Sequence, residues 1–140
     1  MKFVALIVAA LFTGLTFSDS LDDLVIKTTV KVAENECSHR ASEGDIVSVH
    51  YTGSLIEGGK VFDSSHRRNQ PIDFELGGGY VIEGWEKGIL GMCENESREL
   101  YIPSKMAYGA RGAGGVIPPN ADLLFEVTLV KVQTPGHDEL

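Results

Sequence analysis

Positive charge is scarce in this 140-residue chain. Twelve Lys and Arg stand against 20 Asp and Glu, a formal net charge of −8 at pH 7. A nucleic-acid surface needs the opposite balance, so that class of partner is excluded. Cysteine is scarcer still: Cys37 and Cys93 are the only two, too far apart for CxxC redox chemistry. The histidines (His39, His50, His66 and His137) lack metal-ligand spacing, and no metal or cofactor is implied. Repeats and low-complexity tracts are missing, and no segment after the amino-terminal run is apolar enough to span a bilayer. Conventional catalytic arrangements are missing too. Gly77-Gly78-Gly79 is no dinucleotide fingerprint, because Ile82 stands where its last glycine belongs. Residue order alone supports no Ser-His-Asp triad. Glu83 and Glu86 could be a carboxylate pair, but on a short helix they read as a solvated face.

What is present describes one ordinary domain between two address labels. Hydrophobic residues make up 43% and charged residues 23%, normal globular values. The first 18 residues place Lys2 before an apolar run, Phe3 to Phe12, and then small and polar residues. That is the layout of a cleaved secretory signal, with cleavage expected after Ser18 and Ser20 as second choice; a retained membrane anchor is the alternative. Removing Lys2 takes the charge from −8 to −9. The last residues, His137-Asp138-Glu139-Leu140, read HDEL, an endoplasmic-reticulum retention signal if more than a frayed acidic tail. Together the two ends place a domain of residues 19–136 in the lumen, recognised there by a retention-signal receptor and not inserted in the membrane. An oxidising lumen favours a Cys37–Cys93 bond, worth roughly 4 kcal/mol for the loop it closes, over two separate buried thiols. Asn95-Glu96-Ser97 fits the N-glycosylation pattern. Asn95 also follows the helical segment, where a left-handed terminal residue is common.

Most of the chain between those ends alternates apolar and polar residues in the manner of half-buried strands: Leu24–Val32, Asp45–Leu55, Ile72–Leu76, Arg98–Ile102 and Leu123–Val132. Val47, Val49 and Tyr51 share one face of the second, and Leu123, Phe125, Val127 and Leu129 one face of the last. "YVIEGWEKGILGM" (Tyr80–Met92) breaks the period, with Ile82, Trp85 and Ile89 at helical spacing. Gly84 and Gly88 weaken that helix in isolation but would let it approach a sheet closely. The fold class is α+β, a sheet against one short helix. Before the last strand lies a glycine-rich run, Gly109 to Gly115, flanked by Tyr108, Val116 and Ile117. Solvated linkers rarely hold such residues, so this loop should cover something apolar.

"VHYTGSL", "VFDSSHRRNQPIDFELG", "YVIEGWEKGILGM" and "MAYGARGAGGVIPPNADLLFEVTLVKV" follow, in order and spacing, the FKBP-type (macrolide-binding) peptidyl-prolyl isomerases. The likeness runs from about Leu24 to Val132, and the signal, cysteines and tail resemble the family's small lumenal branch. It implies a five-stranded antiparallel sheet curled around one short helix, with a pocket between them and the glycine loop as its flap. It also implies Trp85 as the pocket floor, with Tyr51, Phe62, Phe74, Val81, Ile82, Ala107, Val116, Ile117 and Phe125 around it and Ile72 at the rim. Asp63 and Tyr108 would bring polar groups there, and Arg68 would pair with or orient Asp63 and Tyr51. Ile72, Tyr80 and Ala113 replace residues common in well-known members.

The implied activity is X–Pro cis–trans isomerisation in proline-containing nascent or unfolded secretory proteins, with macrolides such as tacrolimus and rapamycin as inhibitors. A lumenal binding module using the same pocket without turnover is the alternative. Rotation of the X–Pro bond must overcome a barrier near 18–20 kcal/mol. A twisted amide is less polar than a planar one, so a dry apolar pocket favours it without acid, base or nucleophile.

Overall fold

The computed structural model describes residues 20–136, so the expected signal segment and the His137–Leu140 tail lie outside the described residues. The strands are β1 (Val25–Val30), β2 (Ile46–Leu55), β3 (Val61–Ser64), β4 (Ile72–Glu75), β5 (Ser97–Ile102) and β6 (Leu123–Gln133). One α-helix, α1 (Glu83–Ile89), interrupts them, and short 3₁₀ turns join several elements. The sheet runs β1-β5-β6-β2-β3, with β4 also on β2, and the strand pairs are antiparallel. No described helix is long and apolar enough to cross a membrane.

The two long strands form where the sequence alternates. Val47, Val49, Tyr51 and Gly53 of β2 turn inward, as do Leu123, Phe125, Val127 and Leu129 of β6. Pairing Val49 with Leu129, Tyr51 with Val127 and Gly53 with Phe125 joins these into one apolar face. The register slips beside Ser48–Val49, leaving Val130 as the extra residue of a bulge.

The sheet has six strands where the resemblance implies five. β3 and β4 lie on the same edge of β2, β3 against Thr52–Ser54 and β4 against Ile46–Val49. They act as one edge strand broken by the turn Ser65–Arg68. That turn is fastened from within. Buried Ser65 accepts the Tyr51 N–H at 2.8 Å, Ser64 caps the turn at His66 N–H, and Asn69 closes it at φ 52°. β3 is too short to show a period of its own.

The first strand also corrects the sequence reading. All six residues of β1 are exposed, not half-buried. Among the described residues β1 pairs only with β5 at the end of the sheet and nothing covers its faces, while Leu24 just before it packs on the core.

Helix α1 is shorter than its apolar stripe, with Ile82 as N-cap and Leu90 as C-cap. Its closeness to the sheet depends on two glycines. A Cβ on Gly88 would sit 2.7 Å from Leu100 Cδ1, and one on Gly84 would collide with the Ile102 side chain. The carboxyl end is capped by Arg98, whose Nη1 donates to Gly88 O at 2.9 Å and Leu90 O at 3.1 Å. Arg98 is itself held by buried Glu96 at 2.7 Å.

Cys37 and Cys93 are bonded, with Cα atoms 5.5 Å apart. The bond fastens the segment before β2 beside the end of α1, where the Ala41 N–H also donates to Met92 O at 2.8 Å. Asn95 is left-handed, at φ 78°, but it does not end the helix. Gly91 takes the left-handed position after α1, and Asn95 turns the chain into β5.

Candidate active site

Between α1 and the inward faces of β2, β3 and β6 lies a cleft of about 220 Å³. Tyr51, Phe62, Asp63, Ile72, Tyr80, Val81, Ile82, Trp85, Tyr108 and Phe125 line it. Trp85, 5% exposed, forms the floor. Tyr51 and Phe125 meet its ring edge-on, with centroids 5.1 and 5.2 Å away, and Phe74 packs behind it at 5.8 Å. Trp85 Nε1 has no hydrogen-bond partner among the described residues.

The polar side of the cleft is a fixed network. Tyr51 OH donates to Asp63 Oδ2 at 2.6 Å, while Arg68 donates to Asp63 Oδ1 at 3.1 Å and to the Tyr51 oxygen at 2.8 Å. The Ser64 N–H completes the set at 2.8 Å. Burial alone would raise the Asp63 pKa, but hydrogen bonds from Tyr51 and Arg68 and the guanidinium charge hold it below the usual carboxylate range. Burial, then the Asp63 hydrogen bond, pushes the Tyr51 phenol up. Tyr108 is raised as well, by burial first and the Asp63 charge second. Asp63 is therefore a fixed anion and both tyrosines are neutral donors. Among the described residues, neither the Tyr108 hydroxyl nor the Ile82 N–H has a partner, so both are available at the rim.

The structure does not bring every expected residue to the cleft. Arg68 stands outside it and acts through Asp63 and Tyr51. Phe74 backs the floor without lining the cleft, and Ile117 is buried in the core. Ala107 and Val116 do not line it either, Val116 being exposed on the loop. Only Tyr108 brings the glycine loop to the cleft wall, because the loop folds on itself. Ala113 and Ile117 exchange backbone hydrogen bonds at 2.9 and 3.0 Å, and Gly109 O accepts the Asn120 N–H at 2.8 Å. Of the three replaced positions, Ile72 and Tyr80 line the cleft and Ala113 does not.

Of the two carboxylates expected on a solvated face, Glu83 is there and Glu86 departs from the sequence reading. Glu83 pairs on the surface with Lys87 at 2.9 Å. Glu86 instead accepts the N–H groups of Gly77 and Gly79, at 2.5 and 2.8 Å. Side-chain spacing could not reveal this, because its partners are backbone groups of a turn.

A larger groove of about 600 Å³ lies beside the disulfide. It is lined by Arg40–Glu34 and Arg98–Glu96 pairs and has no aromatic wall. Among the described residues no group of three or more His, Cys, Asp or Glu could hold a metal ion.

Residues 37–130 match the family model for the FKBP-type peptidyl-prolyl cis-trans isomerases. The chain belongs to that family. Among its relatives, FK506-binding protein 2 of Candida glabrata is 61% identical over 111 residues, covering 79% of this chain and 82% of that one. FK506-binding protein 2 of Kluyveromyces lactis is 50% identical, covering 99% of both chains. Peptidyl-prolyl cis-trans isomerase FPR2 of Saccharomyces cerevisiae is 53% identical, covering 88% of this chain and 91% of its own. As an FKBP-type isomerase the protein is an enzyme, and isomerisation of the X–Pro bond is its reaction.

Proposed function

We propose that the aromatic cleft is where the X–Pro bond turns, and that the substrates are proline-containing secretory proteins folding in the endoplasmic-reticulum lumen. One observation carries the site: an apolar aromatic box whose only ionised group, Asp63, is already committed to Tyr51, Arg68 and the Ser64 N–H. Such a site is unsuited to proton transfer and suited to desolvation. The proline ring would rest on Trp85 between Phe62, Tyr51 and Phe125. Removed from water, the planar amide loses hydration that the less polar twisted amide does not need, and the barrier falls. The Ile82 N–H and Tyr108 hydroxyl would hold neighbouring carbonyls, fixing one side of the rotating bond. Tacrolimus and rapamycin would compete for the same walls. No specific observation favours binding without turnover.

Tyr108→Phe removes one neutral hydrogen bond, worth about 0.5–1.5 kcal/mol, so kcat/KM should fall about tenfold or less. An isomerisation assay on the purified domain, with and without rapamycin, checks both statements. Activity insensitive to rapamycin, or abolished in a folded Tyr108→Phe protein, would contradict them.

The address rests on the two ends. The lumenal reading is supported by the signal-like amino terminus, the HDEL tail and the Cys37–Cys93 bond, which suits an oxidising compartment. Deleting His137–Leu140 should send the protein to the medium, measured by immunoblot. Intracellular retention of the shortened chain would count against the signal. In that compartment Asn95, exposed and with its side chain free among the described residues, is a candidate for glycan attachment.

A further inference from the structure

Three consecutive residues of the cleft wall, Tyr80, Val81 and Ile82, follow directly on an arch of three glycines, Gly77 to Gly79. Nothing in the arch's own composition holds it still. It has no side chains, and Gly77 and Gly79 have φ angles of 85° and 80°, a region glycine enters freely and leaves as freely. Its internal backbone bond, Gly78 N–H to Glu75 O, is long at 3.4 Å. Yet this arch sets the position of the Ile82 N–H and of two cleft walls.

The Glu86 carboxylate is the one side chain among the described residues that hydrogen-bonds to the arch. Its two oxygens take one amide each, Gly77 at 2.5 Å and Gly79 at 2.8 Å. At the same time the Glu86 N–H donates to Ile82 O at 3.1 Å, closing the first turn of α1. One residue therefore binds both ends of the arch through its side chain and the N-cap of the helix through its backbone. Glu83, three residues earlier, shows that the arrangement is not a general property of the helix surface. Its carboxylate faces Lys87 and solvent.

We propose that Glu86 is a positioning residue for isomerisation, holding the glycine arch so that Tyr80, Val81 and the Ile82 N–H stand ready for the peptide beside the proline. It does not touch the reacting amide. The inference rests on the cleft being the isomerase site. Because Tyr80, Val81 and the Ile82 N–H flank the rotating bond, they hold planar and twisted forms alike. Loosening them should weaken binding of both, and that raises KM while leaving kcat nearly unchanged.

The test is Glu86→Gln, which keeps the size but offers one oxygen for two N–H groups and turns an NH₂ donor toward the other. With a Leu-Pro tetrapeptide as substrate, KM should rise about three- to tenfold and kcat stay within about twofold. In the same protein, exchange of the Gly77 and Gly79 amides with solvent deuterium should speed up about tenfold or more, while β5 and β6 amides keep their protection. Glu83→Gln should leave both readings at wild-type values. An unchanged KM despite exposed arch amides would overturn the proposal, and so would a raised KM with those amides still protected. The amide reading does not depend on turnover: a wild-type protein with no isomerase activity would instead defeat the assignment of the cleft.

Discussion

Replacing Asp63 with Val should lower kcat/KM by about ten- to fiftyfold while leaving the fold intact. Asp63 accepts hydrogen bonds from Tyr51 at 2.6 Å, Arg68 at 3.1 Å and the Ser64 N–H at 2.8 Å. Hydrogen bonds to a charged group contribute about 1.5–3 kcal/mol. The Asp63 side chain is 41% exposed, so water screens part of this and the lower half of that range applies. Without the carboxylate, the Tyr51 hydroxyl loses its acceptor and the guanidinium of Arg68 its anchor. The Tyr51 ring, which packs edge-on against Trp85, then loses its fixed orientation. Asp63→Asn, which keeps the shape and one acceptor, should fall between. An isomerisation assay paired with thermal unfolding separates lost activity from lost fold. A Val variant within twofold of wild type would remove Asp63 from the account.

Gly84→Val should destabilise the protein by about 3 kcal/mol, read as a lower denaturation midpoint at unchanged slope. A residue other than glycine normally improves a helix, by up to about 1 kcal/mol for alanine. Here that gain is outweighed, because a Cβ on Gly84 would run into the Ile102 side chain on β5. Ile102 is fully buried and cannot swing away. The helix would have to lift from the sheet, moving Trp85, the next residue, off its contacts with Tyr51 and Phe125. Activity should therefore fall along with stability. A variant as stable as wild type would mean that the close approach of α1 to β5 is not required.

The parts of this molecule that follow a period could be read from sequence, and those that depend on a neighbour could not. β2 and β6 alternate over their length, and their inward faces are the expected ones. Gly84 and Gly88 suggested a close helix–sheet contact that the structure shows against Ile102 and Leu100. β1 carries the same alternation, but burial depends on what covers a strand, and at the end of the sheet no described residue does. β3 is defined by its pairing with β2 and by Ser65 and Asn69 in the turn after it, not by a pattern of its own. Among site residues, the aromatics follow from the strands and helix that present them. The joining of Asp63, Arg68 and Tyr51 was legible only through likeness to a known family, since charge and spacing alone do not specify who pairs with whom. Glu86 was missed because its partners are backbone groups exposed by positive φ angles, which leave no side-chain signature. Tyr80, which sequence marks only as a departure from well-known members, lines the cleft.

The central claim is that the cleft lowers the barrier by excluding water from a carbonyl-anchored peptide, with no titrating acid or base. The rate of X–Pro isomerisation as a function of pH tests it most directly. Asp63 lies below the usual carboxylate range, so its contribution to stability is complete above the unfolded carboxylate pKa and is lost only as pH falls through the depressed folded value. Tyr51 and Tyr108 lie above the ordinary phenol value of about 10 and stay protonated at neutral pH. No group of the network changes charge between them, and kcat/KM should stay within about twofold from pH 6 to 8. A bell-shaped profile, or an inflection inside that window on the folded protein, would contradict the mechanism.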